Sequence, residues 1–517
     1  MNRQAWYVAA NLCFVVAVGV GHLLASPSDP IHPIYLVLLF ALCSSPLLSL
    51  RAPNDRYLLL SLFGFFYFIF FGMLDFVTLL LSSRPVIETP DGVFTEAEAL
   101  ILAGGIVAFA AYHFAIAAFR PTDAAVARVR EWSLTSLLLG GGLLWVVSTW
   151  LTWKLKVELL VDSMLETMSR AYAAVTPLEL NILQLANYMQ PLGVVILAYA
   201  YARHRKAYIL VPLACALAVE MVMGFVADSK GQVLIGTVLA TFTLTMVSGK
   251  LPKSWLTAVA ALVILVFPLL QANRIAMQIY GRGHEAAAQN VMDTLARALD
   301  TKESLDSGHY RAESFFERSS IKANVTMIVT KTGHGVEFQH GRTIVSLLAA
   351  FIPRMVWPDK PDTATGRLVN SEFTHSEQRQ TNISPSHLGE LYWNFGWPGA
   401  LIGMVVIGGL LGTIAVRFDL TRALNLTRVL VIMVTIKTLI LGFEGAININ
   451  YSMWMRTMAA VGIMHLLFAR RPTEAVPSQE SHGDARQPAS QGAHTPALAL
   501  PAPLRQTSTA RFPNLMS

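Results

Sequence analysis

A chain of 517 residues that is 54% hydrophobic and only 14% charged, with a mean hydropathy of +0.49, is no ordinary soluble protein; such domains carry about 25% charged residues. Apolar runs of about 20 residues, the length that crosses a ~30 Å hydrocarbon core, recur along it without the alternation of barrel strands. The formal charge of +6 requires no nucleic-acid partner, because basic flanks are what orient a membrane protein. The sequence therefore predicts an all-α polytopic integral membrane protein.

About twelve spans are predicted, at 5–24, 34–50, 57–81, 98–119, 133–152, 181–202, 208–226, 233–248, 254–271, 398–416, 429–447 and 450–468. With a cytoplasmic N-terminus, alternate loops hold Arg51 and Arg56; Arg120, Arg128 and Arg130; Arg203, Arg205 and Lys206; Lys250 and Lys253; Arg417, Arg422 and Arg428; and Arg470 and Arg471. The opposite short loops are poorer in cations, as the positive-inside rule requires, and both termini then lie in the cytoplasm. The first run, with Arg3 before it and Leu24-Ala25-Ser26 after it, is read as a span rather than a cleaved signal because it is long and its cleavage signal weak. The chain divides into a nine-span region (1–271), a large extracytoplasmic loop (272–397), a three-span region (398–470) and a Pro-, Ser-, Gln- and Ala-rich tail (471–517), predicted disordered. Cys13, Cys43 and Cys215 fall inside apolar runs without metal or disulfide spacing and read as packing residues.

Within the first region, 153–180 mixes Lys154, Lys156, Glu158, Asp162, Glu166 and Arg170 with Leu, Val and Met, the pattern of an amphipathic helix at a membrane surface. In the large loop, 310–332 has helical periodicity, with Phe315, Ile321, Val325 and Ile328 on one side. A continuous helix there places Arg311, Arg318 and Lys322 on one face. The run Thr343–Phe351 is apolar but too short to span, and reads as re-entrant or buried.

Chemistry concentrates in 351–399, where Arg354, Lys360 and Arg367 lie among prolines and a tryptophan on stiff, non-helical backbone. Arg342 and Arg354 bracket the short apolar run, and Arg274 follows the ninth span at the same membrane depth. Lys230, in the outward turn Asp228–Gln232, is either a phosphate ligand or a snorkelling anchor. Cations gathered on the outer side work against the positive-inside bias, and guanidinium forks suit a diphosphate. His387 and Glu390 are three apart and share a face of any helix entering the tenth span, where either could take a proton from an attacking hydroxyl. The alternative is a His capped by Ser384 at a helix start. The remaining loop histidines lack metal-ligand spacing and read as surface residues. For the intramembrane charges Asp75, Glu220, Lys437 and Arg456, a structural pair joining Lys437 to Asp75 or Glu220 is favoured over an ion path, because no acidic pattern repeats in two halves.

The segments IPRMVWPDKP and SPSHLGELYWNFGWPGALIG, with Arg318, Gly341-Arg342-Thr343 and Ser229-Lys230-Gly231, resemble the bacterial O-antigen and exopolysaccharide repeat-unit polymerases (the Wzy type) over about residues 220–410. The resemblance implies a fold like that of the glycosyltransferases for lipid-linked glycans (GT-C-like), set in the bacterial inner membrane. It implies polymerisation of undecaprenyl-diphosphate-linked oligosaccharides at the periplasmic face, without metal or nucleotide sugar, beside a flippase and a chain-length regulator. Carried onto this sequence, Arg354 and Arg274 hold the diphosphate, with Lys230, Arg318, Lys360 and Arg342 as further ligands, and His387 or else Glu390 is the general base. Paired Arg-x10-Gly motifs of some members are matched only by Arg297/Gly308 and the cytoplasmic Arg130/Gly141, a chance level that lends the two-loop capture mechanism no support. An O-antigen ligase, with the same donor and a lipid A–core acceptor, and a flippase for lipid-linked glycans are the competing expectations; the long extracytoplasmic loop speaks against the flippase.

Overall fold

The structure, a computed structural model, describes residues 11–13, 15–17, 31–52, 54–73, 76, 93–119, 131–154, 177–226, 230–250, 255, 257, 321–351, 357, 365–374, 383–421 and 424–469. Among these the backbone is helical, with no strand beyond isolated bridges such as Thr332–Val336. In chain order the helices are α1 (Ile31–Ser49), α2 (Leu58–Phe71), α3 (Val93–Ala118), α4 (Leu134–Trp153), α5 (Pro177–His204), α6 (Ala207–Val226) and α7 (Lys230–Ser248). Three short helices follow, α8 (Lys322–Lys331), α9 (Arg342–Phe351) and α10 (Thr365–Thr374), then α11 (Ser386–Arg417), α12 (Leu426–Thr435) and α13 (Ile447–Phe468).

Among the described residues five stretches are long and apolar enough to cross a membrane: Glu96–Ala118, Leu134–Trp153, Ala207–Gly224, Ser386–Arg417 and Leu426–Glu444. Large side chains on their outer faces and on α13 stand exposed, Phe114 at 73% and Leu467 at 72% among them. Such surface is unfavourable in water and at home in lipid, so the protein is membrane-embedded. Helices also coincide with the other expected spans except 5–24 and 254–271, which lie almost wholly outside the described residues, as do most of 153–180 and all of 471–517.

Small residues set the closest helix crossing. A Cβ on Gly408 would land on the Ala108 carbonyl, and one on Gly412 would come within 2.7 Å of the Tyr112 carbonyl, so α11 lies backbone to backbone on α3 through a G-x-x-x-G spacing. Buried hydroxyls tie the neighbours: Tyr67 donates to the Ile101 carbonyl at 2.7 Å and Tyr35 to that of Phe71 at 2.9 Å.

Two features depart from the sequence expectation. Helix α11 begins at Ser386, not near 398, and bends at Gly396, whose φ of +64° is open to glycine. Pro398 has no N–H to give the Asn394 carbonyl, which accepts instead from His340 N–H at 3.1 Å; the Trp393 carbonyl accepts from Gln339 N–H at 3.0 Å. The kink thus becomes the dock for the turn that leads into α9. The described part of the expected 310–332 helix starts only at Lys322, and Lys322 turns inward rather than joining a cationic face. Its Nζ meets Glu98 Oε1 at 2.7 Å with both side chains buried, 4.3 Å from the Tyr35 ring centroid.

Candidate functional site: a buried polar centre at the start of α11

Ser386 takes a left-handed φ of 59° and accepts the Gly389 N–H at its Oγ, 3.1 Å away, which fixes where the helix begins. The capping hydroxyl is therefore Ser386, not Ser384, whose carbonyl accepts from the Asn324 amide at 2.9 Å. From that start, His387, Glu390 and Asn394 follow at successive turns and all are 0% exposed. They face α9 and α13, which supply the rest of the centre.

Glu390 Oε2 accepts the N–H of Ile447, the first residue of α13, at 2.7 Å. Ala446, at the cap position of α13, has no side-chain acceptor, so a carboxylate from 57 residues away supplies it and meets the positive end of the helix dipole. The other oxygen, Glu390 Oε1, makes no hydrogen bond of good geometry among the described residues, with the Thr343 hydroxyl as a candidate donor. Asn394 fixes the turn into α9: its Oδ1 accepts Gly341 N–H at 2.9 Å and its Nδ2 donates to Thr343 Oγ1 at 2.7 Å. Asn448 Nδ2 donates to Ser346 Oγ at 2.6 Å and binds α13 to α9.

His387 Nε2 lies 3.2 Å from the Asn450 Nδ2, which also donates to the Gly442 carbonyl. With the amide as donor, Nε2 accepts and the ring proton sits on Nδ1, which has no partner among the described residues; this tautomer follows from the hydrogen-bond pattern. Phe443 and Tyr451 wall the ring at centroid distances of 4.9 and 5.5 Å. Asn450 is placed by an irregular stretch: α12 runs into a π turn (Ile436–Ile440) and a 3₁₀ turn (Leu441–Glu444) before α13 begins.

The expected site residues fall into three groups. His387 and Glu390 come together, one turn apart and facing α13. Arg342 is the exposed first residue of α9, next to Thr343 of the centre, and Lys230 is the first residue of α7. Arg354, Arg274, Arg318 and Lys360 lie outside the described residues. The sequence reading missed Asn394, Asn448 and Asn450; the signal was there, since two amides alternating in an apolar run at a span boundary are costly unless paired. Of the intramembrane charges, Lys437 donates to the Tyr188 carbonyl at 3.2 Å and lies 4.8 Å from that ring's centroid, while Glu220 is buried against Gly236; Asp75 lies outside the described residues. Among the described residues no three of His, Cys, Asp and Glu cluster as metal ligands would.

Fold and site together define a polytopic α-helical membrane protein with a buried His–Glu–Asn centre where a membrane helix begins. The family model described as "Domain of unknown function (DUF8712)" matches residues 149–453, more than half of the chain and the whole of that centre, and the chain belongs to this family. No curated protein and no solved structure matches the chain.

Proposed function

We propose that the chain is a metal-independent polymerase that joins undecaprenyl-diphosphate-linked oligosaccharide repeat units at the periplasmic face of the bacterial inner membrane, through a twelve-span, GT-C-like fold with both termini in the cytoplasm. The observation that carries the reading is that His387 and Glu390 lie one turn apart at the head of α11, both bonded to α13, while Asn394 one turn further on bonds Thr343 of α9, whose first residue is the exposed Arg342. A base at the start of a membrane helix and a cation at the head of a neighbouring helix are what transfer from a lipid-anchored diphosphate needs. The hydroxyl of an incoming unit replaces the Asn450 amide at His387 Nε2 and gives its proton to that nitrogen as its oxygen bonds the anomeric carbon. The bond from that carbon to the diphosphate oxygen breaks, and the departing charge is held by Arg354 and Arg274, with Lys230, Arg318, Lys360 and Arg342 in support.

Deletion of the gene with analysis of surface polysaccharide tests the activity. Loss of a polymerase leaves single repeat units and no long chains, whereas loss of a ligase leaves polymer on its lipid carrier. Normal chains in the deletion strain defeat both readings. Arg354→Ala is expected to abolish polymer while the protein still inserts, and wild-type polymer from that strain would remove Arg354 from the diphosphate site.

A further inference from the structure

Between α4 and α6 lies a groove of about 500 Å³ whose walls include Trp145, Thr149, Trp150, Trp153, Ala218 and Val222. The C-terminal half of each helix lines it, so the two run in the same direction there and their C-terminal ends reach the same membrane surface. Both helices are long and apolar enough to cross, and Trp150 is 60% exposed, so the groove opens sideways to lipid. It shares no residue with the centre around His387.

Two properties identify the occupant. A helix is ~10–12 Å wide and pairs in membranes over small residues, whereas these walls carry three indoles. A space of this size, within the ~300–1,000 Å³ of small-molecule sites, suits one flexible chain. At the mouth, Lys154 directly follows α4 and holds its Nζ 5.5 Å from the Trp150 ring centroid. No carboxylate among the described residues pairs with Lys154. Tryptophans and a lysine at a helix end are the furniture of the headgroup level, where an ammonium complements a phosphate. We propose that the groove binds an anionic phospholipid of the surrounding bilayer, one acyl chain against the tryptophans and the phosphate on Lys154.

Full-length protein in phosphatidylcholine vesicles, titrated with chain-brominated phosphatidylglycerol, reads the site through quenching of tryptophan fluorescence. Phosphatidylglycerol is expected to be preferred over equally brominated phosphatidylcholine by about fivefold, the size of one lysine's attraction for an anionic headgroup. The preference is expected to vanish in Lys154→Gln, to persist in Lys154→Arg, and to be lost in Ala218→Phe, which fills the groove. Equal quenching by the two lipids in the wild type, or an unchanged preference in Lys154→Gln, overturns the proposal. So does relief of quenching by one equivalent of polyprenyl phosphate, which would make the occupant an isoprenoid carrier instead.

Discussion

Replacing Lys322 with methionine keeps most of the side-chain length and removes only the cation opposite Glu98. The two groups sit 2.7 Å apart at 1% and 3% exposure, so their attraction is large, about 6 kcal/mol at an effective dielectric of ~20. Most of it offsets the loss of two hydration shells, and the pair as a whole contributes little. Removing one partner is different, because the remaining charge keeps its desolvation penalty, at about 3–5 kcal/mol. The pair also holds the head of α8 against α3, with the ammonium over Tyr35 of α1 and Ile321 N–H donating to the Phe70 carbonyl of α2 at 2.9 Å. Lys322→Met is therefore expected to lower the apparent melting temperature of the detergent-solubilised protein by about 5 °C or more in scanning fluorimetry. Adding Glu98→Leu should restore much of the loss, since an apolar pair carries no such penalty. A melting point unchanged in Lys322→Met, or a double variant no better than the single one, would refute the argument.

Two further perturbations probe the frame of the site. Gly408→Leu drives a side chain into the Ala108 carbonyl, whereas a Cβ at Gly409 has nothing within 4 Å; fluorescence-detected size exclusion should show Gly408→Leu aggregated or poorly expressed and Gly409→Leu close to wild type. Asn394→Ala strands the Gly341 N–H at a cost of about 1–3 kcal/mol, and should speed hydrogen exchange in 337–343 while leaving α3 protected.

The membrane class was legible because it rests on composition and run length, which no tertiary contact overrides. The positions of most helices followed for the same reason. What escaped was every feature fixed by contacts distant in sequence. A helix leading into the tenth span at His387 was foreseeable, but its exact start rests on a left-handed Ser386 and its kink on carbonyls that bind residues 339 and 340, and nothing local in SPSHLGELYWNF signals those contacts. Lys322 was legible as a cation on a helix but not as a buried one, because its partner Glu98 lies 224 residues earlier. His387 and Glu390 were readable as neighbours from their spacing alone. That Glu390 serves the first N–H of α13 was not, since that bond spans 57 residues.

This last contact decides how the two candidate bases are told apart. A carboxylate that caps a helix already has a structural reason to be there, and its replacement by alanine would remove cap and charge together. Glu390→Gln separates them: the amide oxygen still accepts the Ile447 N–H, and only the charge–dipole attraction of about 0.3–1 kcal/mol is lost. Glu390→Ala leaves that N–H unmet in a buried site, at about 1–3 kcal/mol. If His387 is the base, Glu390→Gln keeps both its melting temperature and long polysaccharide chains, Glu390→Ala melts lower, and His387→Ala folds but makes single units. That is the expected outcome, because among the described residues His387 Nε2 is held by one neutral amide, Asn450, that a sugar hydroxyl can replace, whereas Glu390 is committed through Oε2 to α13. A stable Glu390→Gln protein that makes no chains, beside an active His387→Ala, would transfer the proton to Glu390 Oε1, the carboxylate oxygen not engaged by the cap.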